Sequence, residues 1–128
     1  MHPHESAEDY LEAILMLQQE KGAVRSIDIV NKLNFSKPSV SVAMKHLREK
    51  NMILMDETGY ITLTESGYAI ASSILERHNF FVSVLEHIGV DKETAFEEAC
   101  KLEHDISQGT FEKMKTWLEE HPKQQSQQ

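Results

Sequence analysis

From Glu5 to Lys21 the apolar positions Ala7, Tyr10, Leu11, Ile14, Leu15 and Leu17 return at the spacing of an amphipathic helix, and Gly22 supplies a stop. Ser26 reads as the N-cap of a short second helix carrying Ile27, Ile29, Val30 and Leu33. Ser36 caps a third, with Pro38 in its first turn, where a missing N–H costs nothing, and Val40, Met44 and Leu47 inside. Two helices joined by a short turn make a helix-turn-helix. The period then changes: Met52-Ile53-Leu54-Met55 and Tyr60-Ile61-Thr62-Leu63 are short β-prone runs around Asp56-Glu57-Thr58-Gly59, which predicts a hairpin in the place of a wing.

Beyond the hairpin the helical period resumes. Thr64 or Ser66 starts a long helix through Ala69, Ile70, Ile74, Leu75, Phe80, Phe81, Val84, Leu85 and Ile88, ending near Gly89. Asp91 and Thr94 open a fifth helix, and a sixth from about Ser107 carries Phe111, Met114, Trp117 and Leu118. The pattern therefore predicts a mainly α fold with a small β-hairpin. A winged helix-turn-helix occupies residues 1–66, a helical domain residues 67–121, and a polar, disordered tail residues 122–128.

Composition narrows the function classes. No apolar run reaches the length of a membrane span, and the start Met1-His2-Pro3-His4 has neither region of a signal peptide, so a cytoplasmic protein is expected. The net charge of −8 argues against a nucleic-acid partner, but the segment from Lys32 to Lys50 reverses it locally, with Lys32, Lys37, Lys45, Arg48 and Lys50 against the acid Glu49. On the third helix Ser36, Lys37, Pro38, Ser39, Ser41, Val42 and Lys45 are the residues placed to meet duplex DNA. The serines and lysines suit phosphates and base edges, Pro38 and Val42 suit thymine methyl groups, and with no Arg, Asn or Gln in the outward first turns, specificity leans partly on DNA shape.

The densest chemistry lies in the fifth helix. Cys100, Glu103 and His104 stand at i, i+3 and i+4, so three metal-competent side chains share one face. Asp9 and Glu12 are three apart on the first helix, and His78 lies between the two sets in sequence. A thiolate, imidazoles and carboxylates gathered from three helices would hold a divalent first-row transition metal. Each has a plainer reading: a lone cysteine as a small core hydrophobe, His78 as a hydrogen-bonded interior histidine, Asp9 as a partner of the helix dipole, Glu12 as part of a solvated face. His2, His4, His46, His87 and His121 are taken as non-ligands. Catalysis is not expected: the chain has no P-loop, no G-x-S-x-G elbow, no dinucleotide fingerprint and no Glu-x-x-His pair of a bundle metalloenzyme.

With Asp9-Tyr10-Leu11-Glu12, Arg77-His78, Ile88-Gly89-Val90-Asp91 and Glu98-Ala99-Cys100-Lys101-Leu102-Glu103-His104 in that order, the chain resembles the diphtheria-toxin-repressor and manganese-transport-repressor family from about Glu5 to Leu118. The resemblance implies a homodimer that binds Mn(II) or Fe(II), with Co(II) or Zn(II) as substitutes in vitro. It implies a palindromic operator as target, repression of metal-uptake genes, and residues 67–121 as the metal-binding and dimerisation domain. Carried over position by position, the ligands are Asp9, Glu12, His78, Cys100, Glu103 and His104. The sequence departs from both branches: the manganese type has a Glu where Cys100 stands, and the iron type has a Met where Asp9 stands. Val82 and Phe96 replace ligands of the iron type's extra site, and the C-terminal domain of the long iron-type repressors has no counterpart here. A winged-helix regulator that ignores metal is the alternative, with a helical-bundle metalloenzyme behind it. Dimer contacts are assigned to the fourth and fifth helices, including Phe80, Phe81, Val84 and Leu85.

Overall fold

The computed structural model describes residues 6 to 121. The N-terminal histidines and the tail expected from residue 122 lie outside the described residues. Among those described are six helices and one two-stranded antiparallel sheet, and the chain divides into two compact units, His2–Leu75 and the residues from Glu76 onward.

In the first unit α1 (Ala7–Lys21) is capped by Ser6, whose hydroxyl accepts from the Asp9 N–H, and closed by Gly22 at φ 87°. Helix α2 (Ser26–Leu33) begins one residue earlier than Ser26 as a cap would place it. Arg25 holds the cap position because the Asp28 carboxylate reaches back to its N–H at 2.8 Å. The Lys21 ammonium, 2.5 Å from Asp28, and that N–H hold the Asp28 carboxyl below its ordinary range. Asn34 ends α2 in the left-handed region at φ 60°. Helix α3 (Lys37–Glu49) starts as expected, with Ser36 accepting from the Ser39 N–H and a proline in the first turn.

Strands β1 (Ile53–Met55) and β2 (Ile61–Leu63) pair Ile53 with Leu63, Leu54 with Thr62 and Met55 with Ile61. The Asp56 carboxylate accepts the N–H groups of Thr58 and Tyr60 and so shapes the turn. A hairpin this short needs a partner surface. Ile53 and Ile61 supply it by pointing inward, Leu54 faces out, and Ile61 N–H bonds the Val24 carbonyl at 2.8 Å. Leu11, Ile14, Ile29, Val40, Met44 and Leu47 join them in one core with Ala71 and Leu75.

Helix α4 (Glu65–His87) runs unbroken for 23 residues. Its first turn is pinned by Thr64, whose hydroxyl accepts the Gly67 N–H at 3.1 Å, and by the bareness of Gly67, where a Cβ would stand 2.0 Å from the Met52 carbonyl oxygen. Helices α5 (Lys92–Asp105) and α6 (Gln108–Glu120) are capped by Asp91 and Ser107, each accepting the N–H three residues on. In the second unit Phe111 is fully buried, with Phe80 edge-on to it at 5.3 Å. Phe81, assigned from the sequence to a dimer contact, is instead 4% exposed within its own chain and packs on Phe80.

Candidate metal centre

The second unit gathers His78, Cys100 and Glu103 so that one donor atom from each lies within 4.8 Å of the others. His78 comes from the middle of α4, and Cys100 and Glu103 from successive turns of α5, three residues apart and therefore on one face. His78 Nδ1 is 2.9 Å from Glu103 Oε1 and 3.9 Å from Cys100 Sγ. Ligands about 2.0–2.3 Å from one metal ion stand about 3–4 Å from each other, so these separations fit a shared ion. His104 Nε2 lies 3.4 Å from the other Glu103 oxygen, which makes Glu103 the centre of the group.

Burial distinguishes this cluster from a chance patch of surface acids. His78 is 3% and Glu103 1% exposed. A carboxylate taken out of water needs charged or hydrogen-bonding company, which here is supplied by groups that also bind metals. The ring of Phe96 meets His78 edge-on at 4.6 Å and fixes its orientation. An imidazole, a thiol and a carboxylate together form a mixed soft and hard donor set, suited to Fe(II), Co(II) or Zn(II) as well as Mn(II).

Asp9 and Glu12 belong to the first unit, on one face of α1, each 6% exposed. The solvated-face reading of Glu12 does not survive that burial. Asp9 also accepts the Ser6 hydroxyl at 3.2 Å, within the first turn of the helix.

On α3, Lys37, Pro38, Ser41, Val42 and Lys45 are exposed and Ser39 partly so, with Val42 showing 56% of its surface. The Ser36 hydroxyl caps the helix and donates to the Ser39 side chain, so it is committed internally before any contact with DNA. Two residues that the sequence reading named for other reasons, and gave no part in this group, touch it. Phe96 packs on His78, and Arg77 bonds the Glu103 carbonyl at 2.9 Å. Neither leaves a mark in spacing, because both contacts are made between helices.

Two family profiles together cover nearly the whole chain. The profile of the iron-dependent repressor N-terminal DNA-binding domain matches residues 3–69, and that of the iron-dependent repressor metal-binding and dimerisation domain matches residues 64–127. The HTH-type transcriptional regulator MJ0568 of Methanocaldococcus jannaschii is 34% identical over 117 residues, which is 90% of this chain and 94% of that protein. The transcriptional regulator MntR of Escherichia coli O157:H7 is 31% identical over 120 residues, covering 94% of this chain and 77% of that one. Among solved structures the manganese regulator SloR superposes with a TM-score of 0.77 at 30% identity, over 93% of this chain and 55% of that one. The chain thus spans about half the length of SloR and of the T. acidophilum IdeR structure.

Proposed function

The chain belongs to the iron-dependent repressor family, and on that premise we propose that it is a homodimeric repressor whose binding to a palindromic operator is switched on by Mn(II) or Fe(II). It acts as a cytoplasmic regulator and not as a catalyst. Among the described residues no helix is long and apolar enough to cross a membrane, and the relatives are named as transcriptional regulators. In this reading residues 1–66 read DNA and residues 67–121 hold metal and dimerise.

The observation that carries the proposal is the buried meeting of His78, Cys100 and Glu103. We assign Asp9, Glu12 and His104 as the remaining ligands. A dication held by these residues would neutralise the carboxylates of Asp9, Glu12 and Glu103, which repel one another when gathered without it. Reading two half-sites requires the two α3 helices of the dimer to stand about one turn of DNA apart, about 34 Å, and metal binding would favour that arrangement. Coupling of this type is worth about 1–3 kcal/mol. On α3, Ser36, Lys37, Pro38, Ser39, Ser41, Val42 and Lys45 face the groove, the lysines on phosphate and Val42 on a thymine methyl.

The test is a titration of Mn(II), Fe(II), Co(II) and Zn(II) into metal-free protein while binding to a palindromic duplex is followed. Metal-stimulated binding is expected in the wild type and is lost in both Cys100→Ala and His78→Ala, with circular dichroism unchanged. A full metal response in both variants refutes the site, and tight operator binding without metal points to a regulator that senses nothing through these residues.

A further inference from the structure

Arg77 precedes His78 on α4, and its guanidinium closes the end of α5. Nη1 donates to the main-chain carbonyls of Glu103 at 2.9 Å and Ile106 at 2.5 Å, and Nη2 donates to the Gln108 side-chain oxygen at 2.8 Å. The same group lies over the Phe111 ring, 5.6 Å from its centre. The last carbonyls of a helix have no partner within it and carry the negative end of its dipole, so a cation there satisfies both needs. Helix α5 ends without a glycine cap, its C-cap Ile106 being extended at φ −120°. Arg77 fills the role instead.

Glu103 is consequently gripped twice by consecutive residues of α4. Arg77 holds its carbonyl, and His78 faces its carboxylate at 2.9 Å. Backbone and side chain of one residue are thereby referred to the same turn of a neighbouring helix, which fixes how far Glu103 and Cys100 stand from the His78 ring. Gln108 extends the bracket into α6, where its amide donates to Glu112 at 2.6 Å.

We propose that Arg77 is a positioning residue of the metal centre: through the α5 terminus it sets the spacing of the His78, Cys100 and Glu103 donors without touching the ion. The proposal rests on the metal-binding reading above. A planar fork that serves three acceptors in fixed directions is not reproduced by the single ammonium of lysine, although lysine keeps the charge at the helix end.

The experiment uses the full chain and Co(II) as probe, following affinity and the absorption of the Cys100 thiolate–cobalt bond. Arg77→Met is expected to weaken Co(II) binding about 10–100-fold, the usual scale for losing a residue that orients ligands, and to change the shape of the spectrum. Arg77→Lys recovers part of both. Gln108→Ala, which removes only the outermost bond, gives a smaller loss and keeps the test open if Arg77→Met does not fold. A lower melting temperature of the metal-free variants with wild-type Co(II) affinity and spectrum assigns Arg77 a merely structural role and overturns the proposal. Failure of the wild type itself to bind Co(II) removes the metal-binding reading and this inference with it, whereas binding by wild type and every variant alike removes the inference alone.

Discussion

At the scale of single residues the informative position is Cys100. A thiolate is a soft donor beside the harder carboxylate of Glu103, and it tightens binding of Fe(II), Co(II) and Zn(II) more than that of Mn(II). Cys100→Glu is therefore expected to lower Co(II) affinity about tenfold or more while leaving Mn(II) affinity equal or improved, on the scale by which changes around a metal act. Isothermal titration with both ions checks it, and an unchanged Co(II) to Mn(II) ratio rejects the argument. That α5 gathers metal-competent side chains was legible in the sequence, because Cys100, Glu103 and His104 on one helix face announce themselves through spacing alone. Phe96 and Arg77 were not, since an aromatic edge on a histidine and a guanidinium on a carbonyl depend on which helices pack together. Phe81 shows the same limit from the other side: an apolar residue in a helical stripe looks alike whether its own chain or a partner covers it, and here its own chain does.

At the scale of elements, capping chemistry located the helices well. Ser36, Asp91 and Ser107 each bond the N–H three residues on, as their types require. Helix α2 departs because Asp28, three residues after Arg25, supplies the reciprocal half of a capping box and moves the boundary one residue upstream. The run Met52-Ile53-Leu54-Met55 is apolar throughout, so its inward side was not readable from polarity; the structure buries Ile53 and leaves Leu54 exposed, as strand alternation requires. What the pattern could not reveal is that α4 must nearly touch the backbone leading into β1. Gly67 makes that approach feasible, and because the obstacle is the Met52 carbonyl and not a flexible side chain, relief requires moving backbone. Gly67→Ala is expected to destabilise the DNA-reading unit by about 1–3 kcal/mol, the usual range for overpacking, despite alanine's better helix propensity. Urea denaturation measures it, and a neutral or stabilising outcome contradicts the steric account.

For the molecule as a whole, the net charge of −8 was the most misleading single quantity and its distribution the most useful. The basic run from Lys32 to Lys50 belongs to the end of α2 and to α3, and the exposed side chains of Lys37 and Lys45 lie on the helix read as the DNA contact. A net charge that repels DNA at long range is compatible with a local basic surface, and only a residue-by-residue reading separates the two. Where the family profiles change over, between residues 64 and 69, lies the start of α4.

Helix α4 also imposes a phase relation. Leu75, in the core of the DNA-reading unit, and His78, in the donor cluster, are three positions apart on one continuous helix. With 3.6 residues per turn, an extra residue between them turns the bearing of His78 on the helix by about 100° from that of Leu75. One alanine inserted after Leu75 should leave a helical, folded protein that still binds DNA weakly but no longer gains affinity when metal is added. Four inserted alanines return His78 to within about 40° of its original bearing and should restore part of the response. If the single insertion keeps its metal response, information does not travel along this shaft at all.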